Sequence, residues 1–229
     1  MKKLLHSLTL ILALLALSAP AASFSPLQIG LDGMHGRLQL VSRETPVVGL
    51  RLSLPGSWNK SMTGLDVGLG SFADESFTGV RVNAVFGLSE TCNGVAVALL
   101  FDCSQNFNGI QCSLGSVARN TCGLQIGANT HADIVQGVQL GIFNTANTLQ
   151  GLQLGLVNGG MDPALPNFSH GCEASGLQLG AVNFVAGPVR GLQIGLFNRA
   201  NPLRGVQIGL LNIDRSSDYP YLPLLRASF

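Results

Sequence analysis

One octet, written GLQIGLFN at residues 191–198, returns along most of the chain as GVQIGLLN, GLQLGLVN and GVQLGIFN. Its leading glycine falls at Gly49, Gly64, Gly79, Gly94, Gly109, Gly123, Gly137, Gly151, Gly176, Gly191 and Gly205, in steps of 15, 15, 15, 15, 14, 14, 14, 25, 15 and 14. A period this regular describes a repeat array, in which each unit buries its surface against its neighbours rather than in one central core. One insertion, GGMDPALPNFSHGCEA between Gly159 and Ala174, interrupts it.

Within a unit the pattern alternates, as at Val206, Ile208 and Leu210 against Gly205, Gln207 and Gly209. That is the period of a strand. The linkers NTANTLQ and NRANPLR are turns with a short return carrying one aliphatic, Leu149 or Leu203. A helix does not tolerate glycine at this frequency.

Two all-β architectures hold such strands. In a β-solenoid each unit is one coil, stacked in parallel about 4.8 Å from the next, with the octet's aliphatics meeting Ala200 and Leu203 in a thin core. In an up-and-down antiparallel β-barrel the aliphatics would face lipid over a band ~25 Å tall. Three alternate apolar positions span only roughly 13 Å and are flanked by Arg204 and Asn212. The expectation is therefore the solenoid, with the barrel, a small outer-membrane channel, as the alternative.

The solenoid reading gives the repeated amides a role. In register, Gln111, Gln125, Gln139, Gln153, Gln178, Gln193 and Gln207 stack as one ladder on the outer face, and Asn144, Asn158, Asn183, Asn198 and Asn212 as a second at the corner. Such ladders stabilise stacked parallel strands. Toward the N-terminus the glutamine position holds Arg51, Asp66 and Arg81, opposite charges on successive exposed rungs, and then Ala96. On this facing Ile194 is buried and Gln193 is exposed.

The organisation that follows is a signal peptide over 1–22, an N-terminal strand or cap region over 23–48, the array over 49–213 with its insertion at 159–174, and a C-terminal cap or terminal strand over 214–229. Lys2 and Lys3 before the apolar run from Leu8 to Leu17, then Ala19-Pro20-Ala21, mark export. DYPYLPLLRASF at the end reads as a cap, because Pro220 and Pro223 remove ladder donors.

The formal charge of +1 provides no basic footprint, so nucleic acid is not an expected partner. Export makes disulfides the default for Cys92, Cys103, Cys112, Cys122 and Cys172, whose spacings lack the pairs of a zinc site. Five thiols leave one over. Cys112, in an aliphatic slot, is the candidate for a buried free thiol. His6, His35, His131 and His170 have no patterned partners, His131 is placed in an inter-strand turn, and GLGSFADESFTG lacks the lysine and helix of a phosphate loop. No catalytic, cofactor-binding or metal-binding residues are assigned, and no cofactor is expected.

The tandem octet, the opening SPLQIGL near Ser25, VVGLRLSLPG followed by TGLDVGLG, and the ending YPYLPLLRASF together resemble the bacterial surface-repeat proteins first named in Leptospira, over nearly the whole mature chain. The resemblance implies an exported envelope protein and no known activity. The expected function is a non-catalytic scaffold or interaction surface of the cell envelope, in the periplasm, outer membrane or at the surface. Its partner would be a protein or another envelope component, and outer-membrane association would be possible.

Overall fold

The computed structural model describes residues 24–31, 38–160 and 172–229. The expected signal segment, residues 161–171 of the insertion, His6, His35 and His170 lie outside the described residues. All named elements are strands: β1 (Ser25–Gly30), β2 (Val47–Ala98), β3 (Phe101–Cys112), β4 (Gly115–Gly160), β5 (Glu173–Leu179), β6 (Val182–Val185), β7 (Val189–Ile194), β8 (Phe197–Ala200), β9 (Leu203–Asp214) and β10 (Tyr221–Ser228). The 52-residue β2 and 46-residue β4 each wind through several coils as unbroken extended chain.

Pairing between successive coils is parallel and in register. Gly191 pairs with Gly205 and Gln193 with Gln207 across β7 and β9, and Asn198 pairs with Asn212 across β8 and β9. The chain is a β-solenoid, and the barrel is excluded. Each coil is flattened, with the β5–β7–β9 stack as one wall and the β6–β8–β9 stack as the other. In one coil the walls meet at a corner at Gly195 and Leu196 and at a return turn at Asn201 and Pro202.

The leading glycines explain why the repeat tolerates no substitute there. All eleven have φ between +125° and +148°, a region closed to side-chain-bearing residues. A Cβ on each would also run into a backbone carbonyl oxygen, in ten cases that of the leading glycine one coil earlier and at Gly49 that of Pro26. The coils therefore approach through a continuous column of bare backbone.

Leu203, Gly205 and Gln207 share parity along β9, and all three are buried. This corrects the expected facing. Seating Val206 with Leu203 would need a break in strand parity between them, and β9 keeps its parity from Leu203 through Gln207, switching only at the corner before Asn212. Val206, Ile208 and Leu210 therefore point out, and the glutamines point in. Ala200 and Leu203 lie in the core as expected, but among columns running through Val47, Met62, Phe77, Cys92, Phe107, Val135, Leu149 and Val189 on one wall and Ala118, Ala132 and Ala146 on the other.

The C-terminal segment ends the stack. β10 turns back antiparallel on β9, placing Arg226 opposite Gln207, so the last coil offers no parallel edge there for another to extend. Pro223 falls at the register shift between Leu222 and Leu224, where the ladder needs no donor.

Gly151→Ala should destabilise the fold by about 3 kcal/mol or more, since φ strain and the blocked approach to Gly137 act together. Ser175→Ala, at an exposed position, should lie within about 0.5 kcal/mol of the parent. Urea unfolding of the two variants checks the pair.

Candidate functional site

Two side-chain columns fill the corner end of the coil. Every glutamine of the first ladder donates from Nε2 to the Oε1 of the glutamine one coil earlier, at 2.6–2.9 Å, from Gln207 through Gln193, Gln178, Gln153, Gln139 and Gln125 to Gln111. The asparagines run the other way. Asn144, Asn158, Asn183 and Asn198 each donate from Nδ2 to the Oδ1 one coil later at 2.8–2.9 Å, ending on Asn212. Each of those four also donates to a backbone carbonyl of the following coil, at Leu154, Leu179, Ile194 and Ile208. Both columns are buried, with exposures of 0–2%. The amide ladders are thus interior, a correction to their expected place on the outer face, and the antiparallel donor directions leave their dipoles opposed.

The glutamine column ends on a charged acceptor. Gln111 donates to Asp102 Oδ1 at 2.7 Å, and the other oxygen of Asp102 accepts from Arg81 Nη2 at 2.7 Å. Small residues make room, with Ala96 in the glutamine slot and Gly87 where a Cβ would strike both charged groups. One step further, Arg51 grips Asp66 with Nε and Nη2 at 3.0 and 2.8 Å and donates to the Phe72 carbonyl from Nη1. Arg51, Asp66, Arg81 and Asp102 are all 0% exposed, so the expectation of solvent-exposed rungs is overturned. Paired two against two, the charges can be held in the interior, where removing one partner would strand the other.

With the polar groups sealed inside, the outer wall is apolar. At the first, third and fifth positions after each leading glycine, all eleven repeats carry Val, Leu, Ile, Ala or Cys, and none of these residues is buried. The opposite wall is mixed, with Phe143, Val182, Phe184, Phe197 and Leu211 outward alongside Thr145 and Arg199. A shallow groove there is lined by Phe72, Leu88, Glu90, Cys103, Val117, Arg119 and His131. His131 lies within β4, not in a turn, with Nδ1 2.8 Å from Thr145 Oγ1. GLGSFADESFTG is likewise strand, inside β2. At the N-terminal end of this wall Arg43 covers the Trp58 ring and pairs with Asp74, which also accepts from Trp58 Nε1 at 2.6 Å.

The thiols depart from expectation. Cys92, Cys103, Cys112 and Cys122 are free, and Cys112 is half-buried. Cys92 and Cys172 are buried in the core, and the Cys92 thiol is pushed up to about 11 by burial foremost, with Asp102 adding to the shift and Arg81 opposing it. A thiol so held is unreactive near neutrality. Among the described residues no group of His, Cys, Asp and Glu is arranged to hold a metal ion. Compared with models of protein families, with curated proteins and with solved structures, the chain matches none.

Two expectations follow. Gln193→Leu leaves Gln178 Oε1 without its donor and Gln207 Nε2 without its 2.6 Å acceptor, and should destabilise by about 2–6 kcal/mol at about 1–3 kcal/mol per stranded group. Ile194→Asp, at a position 37% exposed, should change stability by less than about 1 kcal/mol; chemical denaturation orders the two.

The second concerns acid. Burial works to raise the Asp74 carboxyl, but the Arg43 and Trp58 hydrogen bonds and the Arg43 charge outweigh it and hold it below the usual range. Its contribution is therefore present above the unfolded value, near 3.9, and is lost only as pH falls through the lower folded value. Fluorescence of Trp58, the single tryptophan, should stay constant down to that range and then step. Asp74→Asn should abolish the step.

Proposed function

We propose that this chain is an exported, non-catalytic scaffold of the bacterial cell envelope, whose outward aliphatic wall is its docking surface. The observation that carries the reading is the wall itself. Ten steps between Gly49 and Gly205 make it roughly 48 Å long at about 4.8 Å per coil, and three alternate positions make it roughly 13 Å wide. That is about 600 Å² before side-chain width is added, at the upper end of what a soluble monomer exposes without a partner.

Internal ladders suit a scaffold. They fix the spacing of the coils from within, so the wall presents a constant pitch to whatever lies on it. The leader-like segment over 1–22 and the resemblance to envelope surface-repeat proteins support export. The groove on the other wall brings His131 near Cys103 and Arg119, but its residues serve the fold: His131 bonds Thr145, and burial raises the Cys103 thiol above its usual value.

Expression of the full chain in a bacterial host with two membranes, followed by fractionation and N-terminal sequencing, tests this. The mature protein should appear in the envelope fraction, with its N-terminus close to residue 22. An intact Met1 in the cytosolic fraction would contradict it.

A further inference from the structure

The apolar wall has a rim, and the rim identifies what covers the wall. Along the edge beside the leading glycines, register places Gln150 next to Ser175, Ser175 next to Arg190 and Arg190 next to Arg204. Two arginines thus stand side by side on adjacent parallel strands, where like charges repel. Among the described residues neither has a carboxylate partner. No acidic residue occupies the three outward positions of any repeat.

From this we propose that the aliphatic wall lies on a lipid bilayer, with Arg190 and Arg204 at its rim on anionic headgroups. The proposal rests on reading this wall as the docking surface, and adds the occupant.

Three features favour lipid over a second copy of the chain. Exposed carboxylates such as Asp74 and Glu90 line the groove of the opposite wall, and β5 carries a single one on this face, Glu173, two residues outside the rim position Ser175, so a second wall laid on the first would not bring an anion to each of Arg190 and Arg204. Headgroup phosphates would. The wall can also be withdrawn from water without stranding polar groups, because its backbone is paired in the parallel ladder and its glutamines bond one another beneath it. Finally, an apolar strip edged by amides, hydroxyls and arginines has the make-up of an interfacial surface, which seats its apolar strip at the headgroup boundary and its polar rim among the headgroups.

The test is flotation of the purified mature chain with vesicles of phosphatidylcholine, with and without phosphatidylglycerol. The chain should float with both and bind the anionic vesicles more tightly, the difference shrinking as salt is raised. Arg190→Gln with Arg204→Gln should weaken binding to anionic vesicles by roughly tenfold or more and leave neutral vesicles unchanged. Leu196→Glu with Leu210→Glu, at positions 49% and 61% exposed, should remove binding to both. If that double variant unfolds, Leu156→Glu alone, on the same wall, decides in its place.

A chain that ignores vesicles, or that floats equally well with the leucines replaced, overturns the proposal. So does a chain that dimerises through the wall, by sedimentation, without binding vesicles, which would make a second copy the occupant. Envelope location without vesicle binding would retain the scaffold and reject lipid, whereas vesicle binding by a cytosolic protein would reject only the envelope assignment.

Discussion

The rest of the structure depends on the hydrogen bond from one glutamine amide to the next, repeated inside the coil. A buried primary amide needs both donor and acceptor satisfied, at about 1–3 kcal/mol for each group left bare. A column of identical amides at strand spacing meets that need by donating one way and accepting the other. It can do so only if successive strands run parallel and in register, as Gln178, Gln193 and Gln207 do. Seating glutamine inside then sends the alternate aliphatics outside, so the polar interior and the apolar wall follow from one choice of parity. The glycine column does the steric half of the same work, letting backbone meet backbone without a Cβ between coils.

A ladder has ends, and the ends are where the sequence departs from the octet. At the N-terminal end the last donor, on Gln111, meets the Asp102 carboxylate. At the C-terminal end Gln207 Oε1 is buried without a donor and Arg226 Nε is buried without an acceptor, on residues that face each other across β9 and β10. Arg226 also reaches Asp214 and the Tyr219 carbonyl. Both ends of the ladder thus combine a charged group with a break in the octet, at Gln111 in the middle of the stack and at Gln207 in its last coil.

Much of this was legible in the residues. The glycine spacing carried the repeat, and the in-register amides carried the parallel pairing. The facing was misread because Ile194 and Leu196 follow hydrophobicity outward only when a polar column can be satisfied inside, and a single repeat does not show its own neighbour's amide. Parity did hold the answer: Leu203 and Gln207 are four residues apart on one unbroken strand, so burying the first buries the second. Arg51, Asp66 and Arg81 were misplaced for the same reason, as continuations of a column assumed to be wet. The Asp102 terminus was not readable, because Asp102 enters the glutamine column from a different register position, one that pairs with Gly87 and Ser116.

The measurement that bears most directly on this account is hydrogen exchange at the glutamine side-chain amides, followed by NMR in the folded protein. Ladder amides such as those of Gln153, Gln178 and Gln193 should exchange far more slowly than the exposed Gln150 amide, with protection approaching that of the backbone ladder. Exchange of the ladder amides at the rate of Gln150 would put them in water, return the aliphatics to the interior and contradict the account.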